Sequence, residues 1–316
     1  MPYYNEGAGA LRTLRLLVGQ TLPPREILMV DSSSTDDGPD QLETWLRARK
    51  APTPRIRSIR LGSTTPSSSK NIGVALARSP WLAFMDCGHI FSRRWLEDQW
   101  TLAKQADGCV YGKCRFVGHN SFDCCAVAQT YGFGKEIETI PGSLMKKNIF
   151  HKVGFFAENR RAGYDVAWKK RAISLGIPFA IPSAPTIRYE STEFAKNSQD
   201  LFLKSMGYAR ATLGLGASSF IRKYLVLILV SGLFLLQQPT WWPGVLAFYI
   251  FGRGYFWPIV RSHQVKSLFL RYPCAIILMP WIGFVCDFGR LLGIIQGCLV
   301  GTTQEHEFHF SATQRR

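Results

Sequence analysis

The sequence predicts an α/β domain with a mostly parallel sheet, followed by C-terminal transmembrane helices. In the first part of the chain, short apolar runs alternate with segments of helical spacing, and two of those runs end in an aspartate, which predicts buried parallel strands. Long uncharged apolar stretches follow later and predict the membrane helices. We expect four parts: an α/β domain over 1–200, a connecting helix over 201–222, a membrane region over 223–301 and a polar tail over 302–316.

Two predicted strands end in acidic residues. The run "REILMVDSSSTDDG" reaches Asp31 and the run "PWLAFMDCGH" reaches Asp86, while "DQLETWLRARK" and "KNIGVALARS" have helical spacing. In sheets of this kind ligands bind outside the carboxyl ends of the strands, so we expect Asp31 and Asp86 to share one site. The alternative is that each aspartate forms a turn or caps a helix.

The composition favours a membrane over a nucleic acid as partner. The net charge is +16, and 47% of the residues are hydrophobic whereas 19% are charged. Such a charge suits nucleic acid, an anionic membrane or phosphorylated ligands. No zinc-finger spacing, RNP-like aromatic motif or basic low-complexity tail occurs, so we expect no nucleic-acid partner. The cysteines form no C-x-x-C pair, which argues against a zinc site.

The uncharged stretch 224–252 predicts a helical hairpin in the membrane. As one helix it would measure about 43 Å, which exceeds a hydrocarbon core of about 30 Å. The segment "QQPTWWP" breaks it, and Trp241 and Trp242 suit the lipid–water interface. We therefore expect a hairpin over about 223–259, with basic residues at both ends that face the cytoplasm.

A third apolar segment spans about 272–300 and contains Asp287 and Arg290. Because charges are costly inside a bilayer, the segment either crosses once and leaves at Asp287 or lies partly in the interface. The N-terminus lacks the apolar core of a signal peptide. We expect a multi-pass protein of the plasma (inner) membrane with a cytoplasmic first domain; the alternative for the apolar segments is a buried soluble hairpin.

Four motifs occur in a fixed order: "PYYNE", "ILMVDSSSTDDG", "SKNIGVALARSPWLAFMD" and "GYDVAWKKRAISLGIPF". Together they resemble the family-2 glycosyltransferases of GT-A fold over roughly 1–200, a nucleotide-diphospho-sugar transferase domain. The C-terminal segments resemble those of bacterial members that build exopolysaccharides and glycolipids. The resemblance implies an inverting transfer of a sugar from a nucleotide sugar to a lipid-linked or saccharide acceptor.

The family opens with a complete strand before its P-x-Y-N turn, whereas Met1 stands almost on that turn. We suspect that the chain starts too late. A missing central strand would leave unpaired backbone groups and a gap in the core.

The resemblance also implies residues that bind the donor. The first turn would border the nucleotide base, and a carboxylate at a strand end would accept hydrogen bonds from the base or the ribose. A basic–Asn pair would lie beside the diphosphate, because a cation and a helix N-terminus both favour phosphate. These residues are Pro2, Tyr3, Asn5, Asp31, Lys70, Asn71 and Asp86. The alternative for Lys70 is a solvated side chain.

Asp86 matches the first aspartate of the family's D-x-D motif, which in most members binds Mn²⁺ or Mg²⁺. Gly88 takes the place of the second aspartate and offers no ligand, so the implied metal has Asp86 as its candidate ligand and His89 as a weaker one. We expect the donor diphosphate to hold most of any metal's coordination, and nearby Lys and Arg to take over part of its role.

Asp165 matches the catalytic base of the family's G-E-D-x-x-x-x-x-R region, although Tyr164 replaces the glutamate. An inverting transfer needs a carboxylate that removes the proton of the acceptor hydroxyl. The alternative is that Asp165 caps a helix.

The stretch "PGSLMKK" matches a family loop on the acceptor side, with Gly142, Ser143 and Met145. The segment 146–171 is strongly basic and either contacts a lipid diphosphate or is a solvated face.

Two other functions stay open. A polyprenyl-phosphate glycosyl synthase would share the fold, but its phosphate acceptor needs no base. A catalytically silent, membrane-anchored partner that binds nucleotide sugars would explain Gly88 and Tyr164.

Overall fold

The computed structural model describes residues 1–50, 53–106, 108–190, 195, 197–213, 231–234 and 236–300. The named strands lie in the first 190 residues, in agreement with the predicted α/β domain. They are β1 (Pro2–Tyr3), β2 (Glu26–Asp31), β3 (Arg55–Arg60), β4 (Trp81–Ala83), β5 (His89–Phe91), β6 (Cys109–Val117), β7 (Glu136–Lys146) and β8 (Ile187–Glu190).

Helices alternate with these strands and then replace them. In the first part of the chain they are α1 (Ala8–Val18), α2 (Gly38–Ala48), α3 (Pro66–Leu76), α4 (Trp95–Gln105), α5 (Ser121–Thr130), α6 (Ile149–Val153) and α7 (Tyr164–Ser174). The later ones are α8 (Ser198–Thr212), α9 (Trp242–Tyr249), a π-helix (Ile250–Phe256), α10 (Trp257–Arg261), α11 (Val265–Arg271) and α12 (Ala275–Val300).

The strands form two sheets. In the first, β1, β2 and β3 are parallel with β2 in the middle, and the register sets Tyr3 opposite Asp31. The second has the order β4-β7-β6-β8-β5, in which β6 and β8 are parallel and the other pairs are antiparallel. The predicted parallel strands thus make up the first sheet, while β7 and β5 make the second sheet mixed.

A cavity of about 520 Å³ lies between the two sheets. Ile27 and Leu28 of β2 line it on one side and Leu82 of β4 on the other. The short β1 covers only the far end of β2, where the amino group of Met1 donates to the Leu28 carbonyl at 2.8 Å.

An aromatic cluster fixes α7 on the second sheet. Phe84 after β4, Phe150 of α6, Phe156 and Trp168 of α7 pack with ring centroids 5.1–5.9 Å apart. The indole N–H of Trp168 donates to the Gly154 carbonyl at 2.8 Å, so this buried ring leaves no polar atom unsatisfied. The packing sets the start of α7, with Asp165, near the end of β4 and Asp86.

Among the described residues, α12 contains one stretch, Ala275–Leu299, whose length and apolar composition would let it cross a membrane, and 44% of its most apolar window is buried in the protein. The first arm of the predicted hairpin, up to residue 230, and the tail from 302 lie outside the described residues. Residues 236–237 are helical, Pro239–Trp241 form a 3-10 turn and α9 starts at Trp242, so a helix break occurs at the predicted place. The hairpin and the number of crossings stay predictions.

Glycines let α12 lie directly against α8. A Cβ added to Gly289 would lie 2.6 Å from the Phe202 carbonyl oxygen, one on Gly293 would overlap the Met206 carbonyl, and one on Gly297 would overlap the Leu213 side chain. Such spacing of small residues, four apart, allows two helix backbones to approach closely. One face of α12 is therefore part of the folded domain.

Asp287 in α12 is buried and paired, and the helix continues past it. Its carboxylate accepts from Arg253 Nε at 2.7 Å and Nη2 at 3.0 Å, from Arg290 at 3.1 Å and from the Tyr249 hydroxyl at 3.1 Å. Arg253 also donates to the Gln129 side chain of α5. The Arg253–Asp287 ion pair thus joins the π-helix to α12, and the Gln129 contact joins it to α5. Arg253 is therefore not the flanking charge of a membrane segment that the sequence predicts.

We predict that Gly293→Ala lowers the free energy of unfolding by about 1–3 kcal/mol, because the new methyl group overlaps the α8 backbone. The matched control is Gly207→Ala in α8, whose Cβ would meet nothing within 4 Å. It should stabilise the helix by about 0.5–1 kcal/mol through helix propensity. Thermal unfolding in detergent measures both, and equal melting temperatures for the two variants would contradict the close contact.

Candidate active site

The turn after β2 is built around Asp31. Asp31 Oδ1 accepts from the Ser34 N–H at 3.0 Å and from its hydroxyl at 2.6 Å. The Ser34 hydroxyl also accepts from the Asn5 N–H at 3.0 Å, and Asn5 Oδ1 accepts from the Thr35 N–H at 2.8 Å. Asn5 therefore ties the turn after β1 to the turn after β2, and its positive φ of 51° is of a kind that Asn tolerates.

The two oxygens of Asp31 differ in their hydrogen-bond partners. Oδ2 is buried and accepts no hydrogen bond from the described residues, although Arg60 Nε lies 3.4 Å away. A buried carboxylate oxygen in this state is costly, and a ligand N–H or hydroxyl would satisfy it. Asp31 thus offers one acceptor atom at the end of β2.

Lys70 is buried beside Asp86. Its ammonium lies 2.7 Å from Asp86 Oδ1 and donates to the Tyr164 hydroxyl at 3.0 Å, and its side chain is 1% exposed whereas that of Asp86 is 30% exposed. The alternative of a solvated Lys70 is therefore wrong. Thr65 caps α3 and Pro66 opens it, so the helix start that carries Lys70 is well defined.

The ion pair keeps both groups charged. Burial alone would lower the pKa of Lys70, but Asp86 and Tyr164 raise that pKa above its ordinary value. Burial alone would raise the pKa of Asp86, but Lys70 and, more weakly, His89 hold it below its ordinary value. Burial raises the pKa of Tyr164 to about 12, so its hydroxyl is neutral.

Asp165 follows Tyr164 in the first turn of α7. The N-cap is Gly163, with φ 78°, so the alternative of Asp165 as the cap is wrong. Its Oδ1 accepts from the Val166 N–H at 2.9 Å. Burial raises the pKa of Asp165 above its ordinary value, although the Val166 N–H and the charge of Lys70 oppose the shift. A carboxylate with a raised pKa is a better proton acceptor than an ordinary one.

Three contacts connect the surroundings of the three acidic residues. Ser32, next to Asp31, shares a 2.9 Å hydrogen bond with Ser69, next to Lys70, and Lys70 bridges Asp86 and Tyr164. Asp31, Asp86 and Asp165 are thus each at most one residue away from this chain of contacts. Sequence reasoning missed Ser32, Ser34 and Ser69, although serines that surround the predicted strand end are a signal for such a network.

Two predicted donor residues support the site from behind. Asn71 donates to the Phe156 carbonyl at 2.9 Å and accepts from the Phe156 N–H at 3.0 Å, so most of its amide is used to hold the segment before α7. Tyr3 is buried in the core next to Asp31, and burial raises its pKa to about 12. Pro2 lies close to Asp86, since its carbonyl is 3.9 Å from the Cys87 thiol.

The predicted acceptor-side loop is a buried strand, which corrects that expectation. Gly142, Ser143 and Met145 belong to β7 and are buried. Met145 pairs with Leu82 of β4, and the backbone of Gly142 and Ser143 bonds to Phe84 just after β4. The Ser143 hydroxyl accepts from the Gly112 N–H and donates to the Thr139 carbonyl. Their polar atoms are satisfied inside the sheet, so these residues have no surface for an acceptor.

The basic segment 146–171 is largely used for internal contacts. Lys147 donates to the last carbonyls of α3, Lys169 pairs with Glu138 and Arg171 donates to the Phe155 carbonyl. Arg160 is buried and donates to the Leu213 carbonyl at 3.1 Å. The exposed cations that remain are Lys152, Arg161 and Lys170.

The residues beside Asp86 do not fit a metal held by the protein. Lys70 occupies one carboxylate oxygen, and Gly88, with φ 79°, supplies no ligand. His89 is buried against Tyr189, its Nδ1 lies 3.2 Å from the Asp86 carbonyl, and burial lowers its pKa. No group of three or more His, Cys, Asp or Glu side chains is placed to hold a metal ion within the described ranges.

Comparison with known proteins agrees with this geometry. The chain is 25% identical over 155 residues to a protein of Rickettsia conorii and 24% identical to one of Rickettsia felis, both described as uncharacterized glycosyltransferases. Each match covers 48% of this chain and 22% or 23% of the relative, so the chain spans less than a quarter of these relatives.

A mannosyltransferase of known structure shares the fold at low sequence identity. The mannosyltransferase PcManGT from Pyrobaculum calidifontis, solved with GDP-Man and Mn²⁺, has a TM-score of 0.53 and 16% identity, covering 92% of this chain and 85% of its own. S. aureus TarS 1–349, solved with UDP-GlcNAc, has a TM-score of 0.47 and 14% identity, with coverage of 95% and 90%.

The predicted GT-A fold class is thus confirmed. The family model described as glycosyl transferase family 2 matches residues 1–166 of 316. Because this match includes Asp31, Lys70, Asp86 and Asp165, and more than half of the sequence, the chain belongs to glycosyltransferase family 2.

Proposed function

We propose that the protein is an inverting glycosyltransferase that moves a sugar from a nucleotide-sugar donor to a hydroxyl group of a saccharide or lipid-linked acceptor. The observation that carries this proposal is the short chain of contacts around Lys70. Lys70 contacts Asp86 and Tyr164, and Ser69 beside it bonds Ser32, so that Asp31 and Asp165 are the sequence neighbours of two residues in this chain. It gathers an acceptor for the nucleoside, a cation for the diphosphate and a base in one site.

Each residue has one task in the transfer. Asp31 Oδ2 accepts a hydrogen bond from the base or ribose, and Asp86 and Lys70 face the ribose–diphosphate region. Asp165 removes the proton of the acceptor hydroxyl while its oxygen attacks the anomeric carbon. The bond from that carbon to the diphosphate oxygen breaks, the electron pair leaves with the diphosphate, and the proton stays on Asp165.

We predict that Asp165→Asn lowers kcat for a hydroxyl acceptor about 10²–10⁴-fold, because the general base is lost. Donor affinity should change by less than about threefold, since no donor contact is removed. Purified protein in detergent, a panel of UDP- and GDP-sugars and a native lipid extract give the assay. Asp98→Asn, an exposed aspartate of α4, is the matched control.

The acceptor decides between the proposed enzyme and its alternatives. Full activity of Asp165→Asn with a polyprenyl phosphate would favour the polyprenyl-phosphate synthase, because a phosphate acceptor needs no base. A wild-type protein that binds nucleotide sugars without transfer or hydrolysis would support the silent assembly partner. Either result would contradict the proposed role of Asp165.

The raised pKa of Asp165 also predicts that the base destabilises the fold. Because the folded state binds the carboxyl proton more readily than the unfolded state, stability falls as the pH rises from the ordinary Asp pKa of about 4 through the raised value. Asp165→Asn should therefore have a higher melting temperature than wild type at pH 7, and the difference should vanish at low pH. A lower melting temperature at pH 7, relative to Asp98→Asn, would contradict this.

We also propose that the protein works at a membrane surface. The start of α12 exposes Ile276 and Ile277, and the chain around the start of α9 exposes Trp241 and Trp242. A large exposed apolar surface with tryptophans suits a lipid–water interface. A membrane would bring a lipid-linked acceptor to the same surface, and the inner membrane with a cytoplasmic active site is the location we propose.

This location can be tested with vesicles. Wild-type protein should float with vesicles of phosphatidylcholine and phosphatidylglycerol, and Ile276→Glu/Ile277→Glu should bind at least about tenfold more weakly, because two charges enter the apolar face. Ile173→Glu/Leu175→Glu changes two comparably exposed apolar residues near the end of α7 and is the matched control. Equal flotation of the two double variants would show that α12 is not the contact.

A further inference from the structure

We propose that Lys70 is the fixed cation of the donor site and takes the place of a divalent metal that the protein would otherwise hold beside Asp86. This inference deepens the proposed function and rests on it. It concerns how the site balances the charge of a nucleoside diphosphate.

The first argument is the position of the ammonium. Lys70 Nζ lies 2.7 Å from Asp86 Oδ1, the carboxylate that a metal would use, and both groups are held by packed elements. Lys70 is in the first half of α3, and Tyr164 at the start of α7 holds the ammonium from the other side at 3.0 Å. A cation fixed in this way is already present before the donor arrives.

The second argument is the balance of charge around it. Where the family motif has two further carboxylates, this chain has Gly88 and the neutral Tyr164. Two negative charges are absent, so the site no longer needs a dication to offset them. One ammonium neutralises Asp86, so a diphosphate bound beside it does not face an uncompensated carboxylate at that position.

The third argument is unused hydrogen-bonding capacity. An ammonium has three N–H donors, and Asp86 and Tyr164 take two of those of Lys70. Because the Lys70 side chain is only 1% exposed, the third can reach a diphosphate oxygen only when the ligand lies directly against Asp86 and the ammonium. As the bond to the sugar breaks, negative charge grows on that oxygen, and a fixed ammonium stabilises it more than it stabilises the ground state.

The test is nucleoside-diphosphate binding, measured by calorimetry with UDP and GDP in EDTA and in Mn²⁺. Wild-type affinity should agree within about threefold between the two conditions. Lys70→Gln should weaken binding about 10–100-fold in EDTA, because a charge-assisted hydrogen bond is lost. Lys70→Arg should retain part of the affinity, and Lys104→Gln, an exposed lysine of α4, should match wild type.

A charge swap makes the test independent of simple loss of folding. Lys70→Gln/Gly88→Asp restores the second carboxylate, which Asp tolerates at positive φ better than most residues. This double variant should bind Mn²⁺ by electron paramagnetic resonance and regain nucleotide affinity only with Mn²⁺, whereas wild type should show no Mn²⁺ bound to the free protein. Melting temperatures confirm that each variant is folded.

The outcomes separate this inference from the proposed function. Wild-type binding that requires Mn²⁺, or Lys70→Gln binding as tightly as wild type in EDTA, would overturn the role of Lys70 and leave the glycosyltransferase intact. No nucleotide binding by wild type under either condition would overturn the proposed function and the inference with it. Loss of binding in Asp31→Asn under both conditions would show that the nucleotide occupies the site described.

Discussion

The ion pair between Lys70 and Asp86 is the constraint on which the site depends. A buried ammonium stays charged only beside a carboxylate, and a buried carboxylate needs a cation or hydrogen-bond donors in return. Because Lys70 belongs to α3, Asp86 follows β4 and Tyr164 begins α7, one charged group holds three elements together. The Ser32–Ser69 hydrogen bond adds the turn after β2 to the same unit.

Much of the fold and part of the site could be predicted from the sequence. Asp31 and Asp86 end apolar runs, and such runs become buried strands whose polar ends meet at one edge. The burial of Lys70 could not be predicted, since its neighbours in sequence are serines and its partners come from two distant segments. The loop expected at Gly142–Met145 proved to be the end of β7, because a glycine and a proline suggest a turn while the pairing with β4 is a long-range contact.

The C-terminal helices show the same limit. From sequence, Arg253 resembles a flanking charge and Asp287 an obstacle to a membrane helix, and only the fold reveals that they are partners. The glycines of α12 likewise have no visible role until α8 lies against them. A hydropathy pattern records how apolar a segment is but not which of its faces is already covered.

Covering one face of α12 has a consequence for how a membrane could hold this protein. The glycine face of α12 packs on α8, and its buried Asp287 pairs with Arg253 of the π-helix, which also contacts α5. The helix therefore cannot leave the domain without exposing a buried charge and separating its backbone from that of α8. Its apolar outer face is thus rigidly connected to the catalytic domain. Contact of that face with lipid would orient the whole active site, because α8 and α5 pack on α12 and α5 packs on β6, in the sheet whose strand β4 ends close to Asp86.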